Sequence, residues 1–147
     1  MPRPPDPDLD ALLERLVIAG VAVTARSLLA TAGELTFLQW RVLVVLGDAP
    51  DGLHVGEVGR RIGASAPSAT RVLRRMERQG LLDTRREPAD RRRVLVRLSA
   101  DGRGLRDTVM AHRRTFLRAA LEQAAADPAE PAGDALTRIT EALEAGA

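Results

Sequence analysis

Four arginines repeat along one short stretch of the sequence, and their chemistry suits an anionic partner. Arg71, Arg74, Arg75 and Arg78 have spacings that place them on one face of a helix. The apolar residues of the same stretch fall on the opposite face: Ala69, Val72, Leu73 and Met76. A guanidinium group donates paired hydrogen bonds to a phosphate, or to O6 and N7 of guanine. The pattern therefore predicts a helix that is buried on one side and binds a polyanion on the other.

The residues before this helix predict a helix-turn-helix. Apolar residues at helical spacing indicate a first helix over residues 55–62. Gly63 can close that helix in the left-handed conformation, and the Ser65 hydroxyl can cap a second helix over residues 66–79. Pro67 lies in the first turn of the second helix, where its missing N–H does no harm.

A β-hairpin is predicted directly after the second helix. The period of apolar residues changes from 3.6 to 2, which indicates strands over residues 81–85 and 93–98. Residues 86–92 form a loop because Pro88 interrupts the pairing. Two helices followed by such a hairpin are typical of a winged helix-turn-helix, a DNA-binding fold, with the loop as its wing.

The wing loop is basic. Arg91, Arg92 and Arg93 are candidates to enter a narrow minor groove, whose negative potential attracts arginine. Asp90 is expected to pair with a neighbouring arginine or a backbone N–H and so to hold the shape of the loop. Residues 60–93 contain eleven arginines and four acids, a net charge of +7, whereas the whole chain is +2. This asymmetry is typical of a module that binds nucleic acid.

Four segments resemble the MarR family of bacterial transcription regulators. They are LTFLQWRVLVVL (35–46), IGASAPSATRVLRRMERQGLL (62–82), ADRRR (89–93), with a D-x-R pattern, and LVRLSADGR (95–103). Their order and spacing resemble the DNA-binding core of that family. The resemblance implies a homodimer joined through N- and C-terminal helices, and small-molecule effectors that bind where those helices meet the winged domain. Phe37, Trp40 and Arg41 are candidates for that effector site; the alternative is core packing for the aromatic rings and a surface salt bridge for Arg41.

The expected fold is mainly α, a winged helix-turn-helix with a small β-hairpin wing and long terminal dimerisation helices. The division is a dimerisation helix over 1–33, the winged domain over 34–98 and C-terminal helices over 99–147, all in one integrated domain. Helical spacing from residue 9 to about 30 gives a helix with more apolar surface than one small domain buries. A core helix is one interpretation, but a dimer interface is favoured because helices recur at the other end, over about 101–126 and 134–145.

Several functional classes are excluded by composition. The chain has no cysteine, which rules out disulfides, thiolate metal sites and the cysteine-based peroxide sensing found in one branch of the resembled family. His54 and His112 stand alone, so we expect no enzyme activity, metal or cofactor. The proline-rich, acidic N-terminus does not resemble a signal peptide, and the longest apolar run, 16–23, is too short to span a membrane. A cytoplasmic protein is expected.

The resulting hypothesis is a homodimeric repressor that binds a pseudo-palindromic operator in double-stranded DNA and is released by a small aromatic or phenolic ligand. One group of residues is expected to contact bases or adjacent phosphates: Ser65, Pro67, Ser68, Ala69, Thr70 and Arg71. Arg75 and Arg78 are expected on the DNA backbone. The alternatives are a winged helix used for protein–protein contact and a protein that binds DNA without sequence preference. Steep weakening of binding by salt would separate DNA binding from protein contact.

Overall fold

Five helices and three short strands make up the part of the chain that the structure describes. The computed structural model describes residues 9–87 and 93–124. The elements, in chain order, are α1 (Leu9–Thr31), α2 (Phe37–Gly47), β1 (Leu53–His54), α3 (Val55–Ile62), α4 (Ala66–Arg78), β2 (Leu82–Arg86), β3 (Val94–Leu98) and α5 (Ala100–Ala124). The predicted helix over 134–145 lies outside the described residues.

The helix-turn-helix forms where the sequence predicts it. Gly63 follows α3 with φ of +69°, the left-handed conformation that glycine adopts without a steric penalty. Ser65 occupies the N-cap position of α4, but the predicted cap is wrong in its bonding. Its hydroxyl donates to the hydroxyl of Ser68 at 3.1 Å and accepts no hydrogen bond from a backbone N–H of the helix. Pro67 lies in the first turn of α4, as predicted.

The hydrophobic core joins the winged domain to α5. Five fully buried side chains come from five different elements: Leu43 from α2, Val58 from α3, Met76 from α4, Val96 from β3 and Val109 from α5. Burying an aliphatic side chain of this kind contributes about 1.5 to 3 kcal/mol. The orientation of α4 is therefore fixed by the same core that holds the long helix after the wing.

The sheet has three antiparallel strands in the order β1-β3-β2, one more than the predicted hairpin. The hairpin pairs Leu82 with Leu98 at its base and Arg86 with Val94 near the wing. Leu53 of β1 pairs with Val96 on the other edge of β3. The sequence analysis missed β1 because a two-residue strand is too short to show alternation.

Local hydrogen bonds set the starts of α2 and α5. The Thr36 hydroxyl accepts from the backbone N–H of Gln39 while the Gln39 side chain accepts from the N–H of Thr36, which forms a capping box. The Ser99 hydroxyl accepts from the N–H of Gly102 at 3.0 Å.

The long helices α1 and α5 pack against each other and leave apolar surface uncovered. The Arg26 guanidinium lies over the Phe116 ring, 5.7 Å from its centroid. Exposed large apolar side chains on α1 are Leu16, Val17, Ile18, Val21 and Leu29. In the described residues, no helix has the length and apolar character needed to cross a membrane.

Candidate nucleic-acid interface

The two faces of α4 separate as the sequence predicts. Ala69, Val72, Leu73 and Met76 are buried, and Arg71, Arg74, Arg75 and Arg78 are exposed. Helix α4 therefore presents a row of guanidinium groups to solvent while its other side packs in the core.

The start of α4 presents most of the predicted contact residues. Ser65 and Pro67 are exposed, and Ser68 and Thr70 are partly exposed. Ala69 is different, because its side chain is only 1% exposed and its Cβ atom lies where α4 approaches Gly59 of α3. The expectation that Ala69 contacts DNA therefore does not hold for its side chain.

Two open grooves flank the exposed side of α4. The first, of about 810 Å³, is lined by Ala66, Pro67, Thr70, Arg71, Arg74, Glu77 and Arg78. The second, of about 560 Å³, separates α4 from the sheet, and its charged lining residues are Arg74, Glu77 and Arg86. Both grooves combine guanidinium groups with a threonine hydroxyl, a lining that suits a phosphate backbone.

The base of the wing is held by residues from both hairpin strands and from β1. The Glu87 N–H donates to the Arg93 carbonyl at 3.0 Å, and a Glu87 carboxylate oxygen lies 3.6 Å from the Arg93 guanidinium. Nε2 of His54 lies 2.9 Å from the other carboxylate oxygen. Glu87 was not among the residues predicted to hold the shape of the wing, a role expected of Asp90. Asp90, Arg91 and Arg92 lie outside the described residues, and Arg93 is exposed.

Helix α3 carries its own charge cluster. The Glu57 carboxylate pairs with Arg60 and with Arg61, the latter at 2.9 Å. The hydrogen bond from Arg61 and the charge of Arg60 lower the pKa of Glu57 below its ordinary value. Arg60 and Arg61 are therefore partly neutralised, whereas the four arginines of α4 form no ion pair within the described part of the chain.

The three candidate effector residues all lie on α2 but differ in their surroundings. Trp40 is buried at 3% exposure, Phe37 is 48% exposed, and Arg41 donates to the Arg61 carbonyl at 2.8 Å. Trp40 therefore packs in the core, and Arg41 bonds a backbone carbonyl of α3 and not an acidic side chain.

A different arginine meets Trp40. The Arg113 guanidinium lies 5.6 Å from the centroid of the indole ring, a cation–π contact. Burial and the nearby charge of Arg106 lower the pKa of Arg113. Next to it, Nδ1 of His112 lies 3.4 Å from the hydroxyl of Ser27. Helical spacing alone does not show that α5 turns this position towards α2.

Comparison with known proteins places this architecture in a family. Residues 34–93 match the model of the MarR family. The crystal structure of RV1404 from Mycobacterium tuberculosis superimposes with a TM-score of 0.78 at 30% identity, over 93% of this chain and 95% of that one. The chain belongs to the MarR family.

Two further comparisons cover different shares of the chain. The HTH-type transcriptional regulator TtmR of Methylorubrum extorquens is 41% identical over 81 residues, which are 55% of this chain and 40% of TtmR. The chain spans about half the length of the curated relatives that it matches. The PcaV transcriptional regulator from Streptomyces coelicolor, crystallised in complex with its natural ligand, has a TM-score of 0.61 at 28% identity, over 97% of this chain and 99% of PcaV.

Proposed function

We propose that the protein is a homodimeric repressor that recognises a specific sequence in double-stranded DNA. The observation that carries the proposal is the exposed arginine row of α4, set opposite a buried face and beside the wing. Membership of the MarR family and the naming of TtmR as a transcriptional regulator support it. A winged helix used only for protein contact has no need of such a row.

In this proposal, α4 enters the major groove with its N-terminal half against the base edges. Pro67, Ser68, Thr70 and Arg71 contact bases or adjacent phosphates from there, and Ser65 lies at the helix start. Arg75 and Arg78 contact the DNA backbone. The wing supplies Asp90, Arg91, Arg92 and Arg93, with the arginines directed to a flanking minor groove. Two copies of α4 then enter successive major grooves about 34 to 36 Å apart, so the operator is a pseudo-palindrome.

The dimer in this proposal forms through the long helices. Val17, Ile18 and Val21 are 53%, 62% and 52% exposed and lie within about one turn of α1. A contiguous apolar patch on a single chain marks an interaction surface. Charged substitution at Ile18 should shift the sedimentation coefficient to that of a monomer and abolish binding to the full operator, whereas an unchanged dimer would place the interface elsewhere.

The proposed DNA recognition is tested by titrating the protein with randomised duplex DNA at several salt concentrations and sequencing the bound fraction. Recovery of an inverted repeat with half-sites one helical turn apart supports dimeric, sequence-specific binding. Strong binding without a selected sequence indicates a nonspecific DNA-binding protein. Negligible binding at low salt favours a protein-contact module, since phosphate contacts strengthen as salt falls.

A small aromatic or phenolic acid is proposed as the effector that releases DNA. The supporting observation is Arg113, which is partly buried over Trp40 and forms no ion pair with an acidic side chain within the described part of the chain. A ligand carboxylate would pair with this guanidinium at the junction of α2 and α5. Operator binding needs one particular distance between the two α4 helices of the dimer. A ligand that binds more tightly to a dimer with another distance must therefore weaken operator binding, by thermodynamic linkage. The natural ligand in the PcaV structure supports a ligand-responsive mechanism.

A further inference from the structure

Glu77 occupies an unexpected position on the surface that we propose to face DNA. It lies on the exposed side of α4 and lines both grooves that flank the helix. Its carboxylate accepts a hydrogen bond from the hydroxyl of Thr84 in β2. A single side chain thus links the C-terminal half of α4 to the hairpin that carries the wing.

The sheet register explains why Thr84 reaches α4. Thr84 pairs with Val96 and Arg86 pairs with Val94, so these four side chains lie on one face of the hairpin. Val96 is fully buried on the central strand β3, while Thr84 and Arg86 are exposed on the edge strand β2. The hydrogen bond between Glu77 and Thr84 therefore joins α4 to the edge strand across the second groove.

The charge of Glu77 opposes its surroundings. The other charged residues that line the two grooves are arginines: Arg71, Arg74, Arg78 and Arg86. Among the described residues, Glu77 forms no ion pair. Within the described part of the chain, no direct partner cancels its negative charge, which would repel a phosphate in either groove.

We infer that Glu77 is a positioning residue that fixes the wing relative to α4 through Thr84 and, through its charge, limits the affinity for any DNA backbone. This inference rests on the proposed function. Nonspecific binding depends almost wholly on phosphate contacts, so the charge weakens binding to every duplex. The hydrogen bond matters only where α4 and the wing must engage adjacent grooves together, which is the case on the operator.

The two effects are separated by three substitutions. Glu77→Gln keeps an acceptor oxygen and removes the charge. Glu77→Ala removes both, and Thr84→Val removes the hydroxyl that donates. Thr84→Ser is the matched control because it keeps the hydroxyl. Dissociation constants are measured on the selected operator and on a scrambled duplex of the same composition, each at several salt concentrations, after thermal melting confirms that each variant is folded.

Glu77→Gln should tighten binding to both duplexes by roughly two- to fivefold, the size expected for one exposed charge interaction, with the larger gain at low salt. The ratio of the two affinities should not change. Thr84→Val should lower that ratio by roughly two- to tenfold, the size of one hydrogen bond, whereas Thr84→Ser should keep the wild-type ratio. Glu77→Ala should combine a gain on scrambled DNA with a lower ratio.

Two results would overturn the two roles inferred for Glu77. Unchanged affinities for Glu77→Gln overturn the role of the charge, and an unchanged ratio for Thr84→Val and Glu77→Ala overturns the role of the hydrogen bond. If the wild-type protein still prefers the operator to the scrambled duplex, the proposed function stands even when these roles of Glu77 do not. A wild-type protein that does not prefer the operator overturns the proposed function and this inference with it.

Discussion

The side-chain amide nitrogen Nε2 of Gln39 donates a hydrogen bond to the side-chain oxygen of Gln79, 2.9 Å away. This bond joins α2 to the residue that follows α4. Gln39 is only 1% exposed. Its oxygen accepts from the backbone N–H of Thr36, which makes it half of the capping box of α2. One buried amide therefore begins one helix and holds the end of another, directly beside Trp40.

Substitution of Gln39 by leucine should destabilise the protein. The change leaves the Thr36 N–H without its cap and removes the partner of Gln79, which costs about 1 to 3 kcal/mol. Gln79→Ala should cost less, because Gln79 is exposed and water can replace it. Urea denaturation measures both. Equal, small losses would show that water also reaches Gln39.

Gly102 and Gly104 form a matched pair within the first turns of α5. A Cβ atom on Gly102 would lie 2.1 Å from the carbonyl oxygen of Leu81, whereas one on Gly104 meets nothing within 4 Å. Gly102→Ala should therefore destabilise the protein by about 1 to 3 kcal/mol, since backbone must move to relieve the clash. Gly104→Ala should stabilise it by up to about 1 kcal/mol, because alanine favours the helix. If Gly102→Ala does not lower the melting temperature, the close contact between α5 and the α4–β2 turn is contradicted.

Trp40 is the sole tryptophan and therefore a fluorescent reporter of the proposed effector site. Benzoate or 4-hydroxybenzoate should change its emission and weaken operator binding over the same concentration range. Arg113→Gln should weaken the ligand by about tenfold or more, since a charged hydrogen bond contributes roughly 1.5 to 3 kcal/mol. Arg114→Gln, an exposed neighbour on α5, is the control. If Arg113→Gln and Arg114→Gln bind the ligand with equal affinity, the ligand site does not lie beside Trp40.

The helix-turn-helix was predictable because its signals are local. Residues 55–62 and the start of α4 were placed correctly, since the 3.6-residue period and a left-handed glycine act over single turns. The predicted cap at Ser65 did not form: its hydroxyl donates to the hydroxyl of Ser68, three residues away, and accepts from no backbone N–H of the helix. The type of residue at the N-cap position does not determine the orientation of its side chain.

Contacts between distant parts of the chain were not predictable. The Gln39–Gln79 hydrogen bond, the Arg113–Trp40 contact and the pairing of β1 with β3 join residues that only the packed core brings together. The candidate effector residues were predicted because two aromatic residues and an arginine lie close together in one helical segment. The structure instead divides them between the core and the surface.

The pKa of Glu57 should respond to its arginine partners. The hydrogen bond from Arg61 and the charge of Arg60 lower it, so the carboxylate contributes stability above its unfolded pKa and loses that contribution as pH falls through the lowered value. Arg61→Ala should raise the titration midpoint of Glu57 towards its ordinary value, as followed by carboxyl NMR shifts. Arg75→Ala, on α4, is the control. An unchanged midpoint in Arg61→Ala would mean that the pair does not persist in solution.

Arg71 and Arg78 should differ in what they do for DNA binding, because they lie about two turns apart on α4. Arg71, near the helix start, should contact a base: Arg71→Ala should cost about 1 to 3 kcal/mol on the operator and relax the preference at one position of each half-site. Arg78, near the helix end, should contact phosphate: Arg78→Ala should weaken all duplexes similarly and reduce the salt slope by about one. Selection and salt titration of both variants measure this, with exposed Arg114→Ala as the control. Equal losses for both variants on operator and scrambled DNA would show that neither arginine contacts a base, and base recognition would then fall to Pro67, Ser68 and Thr70.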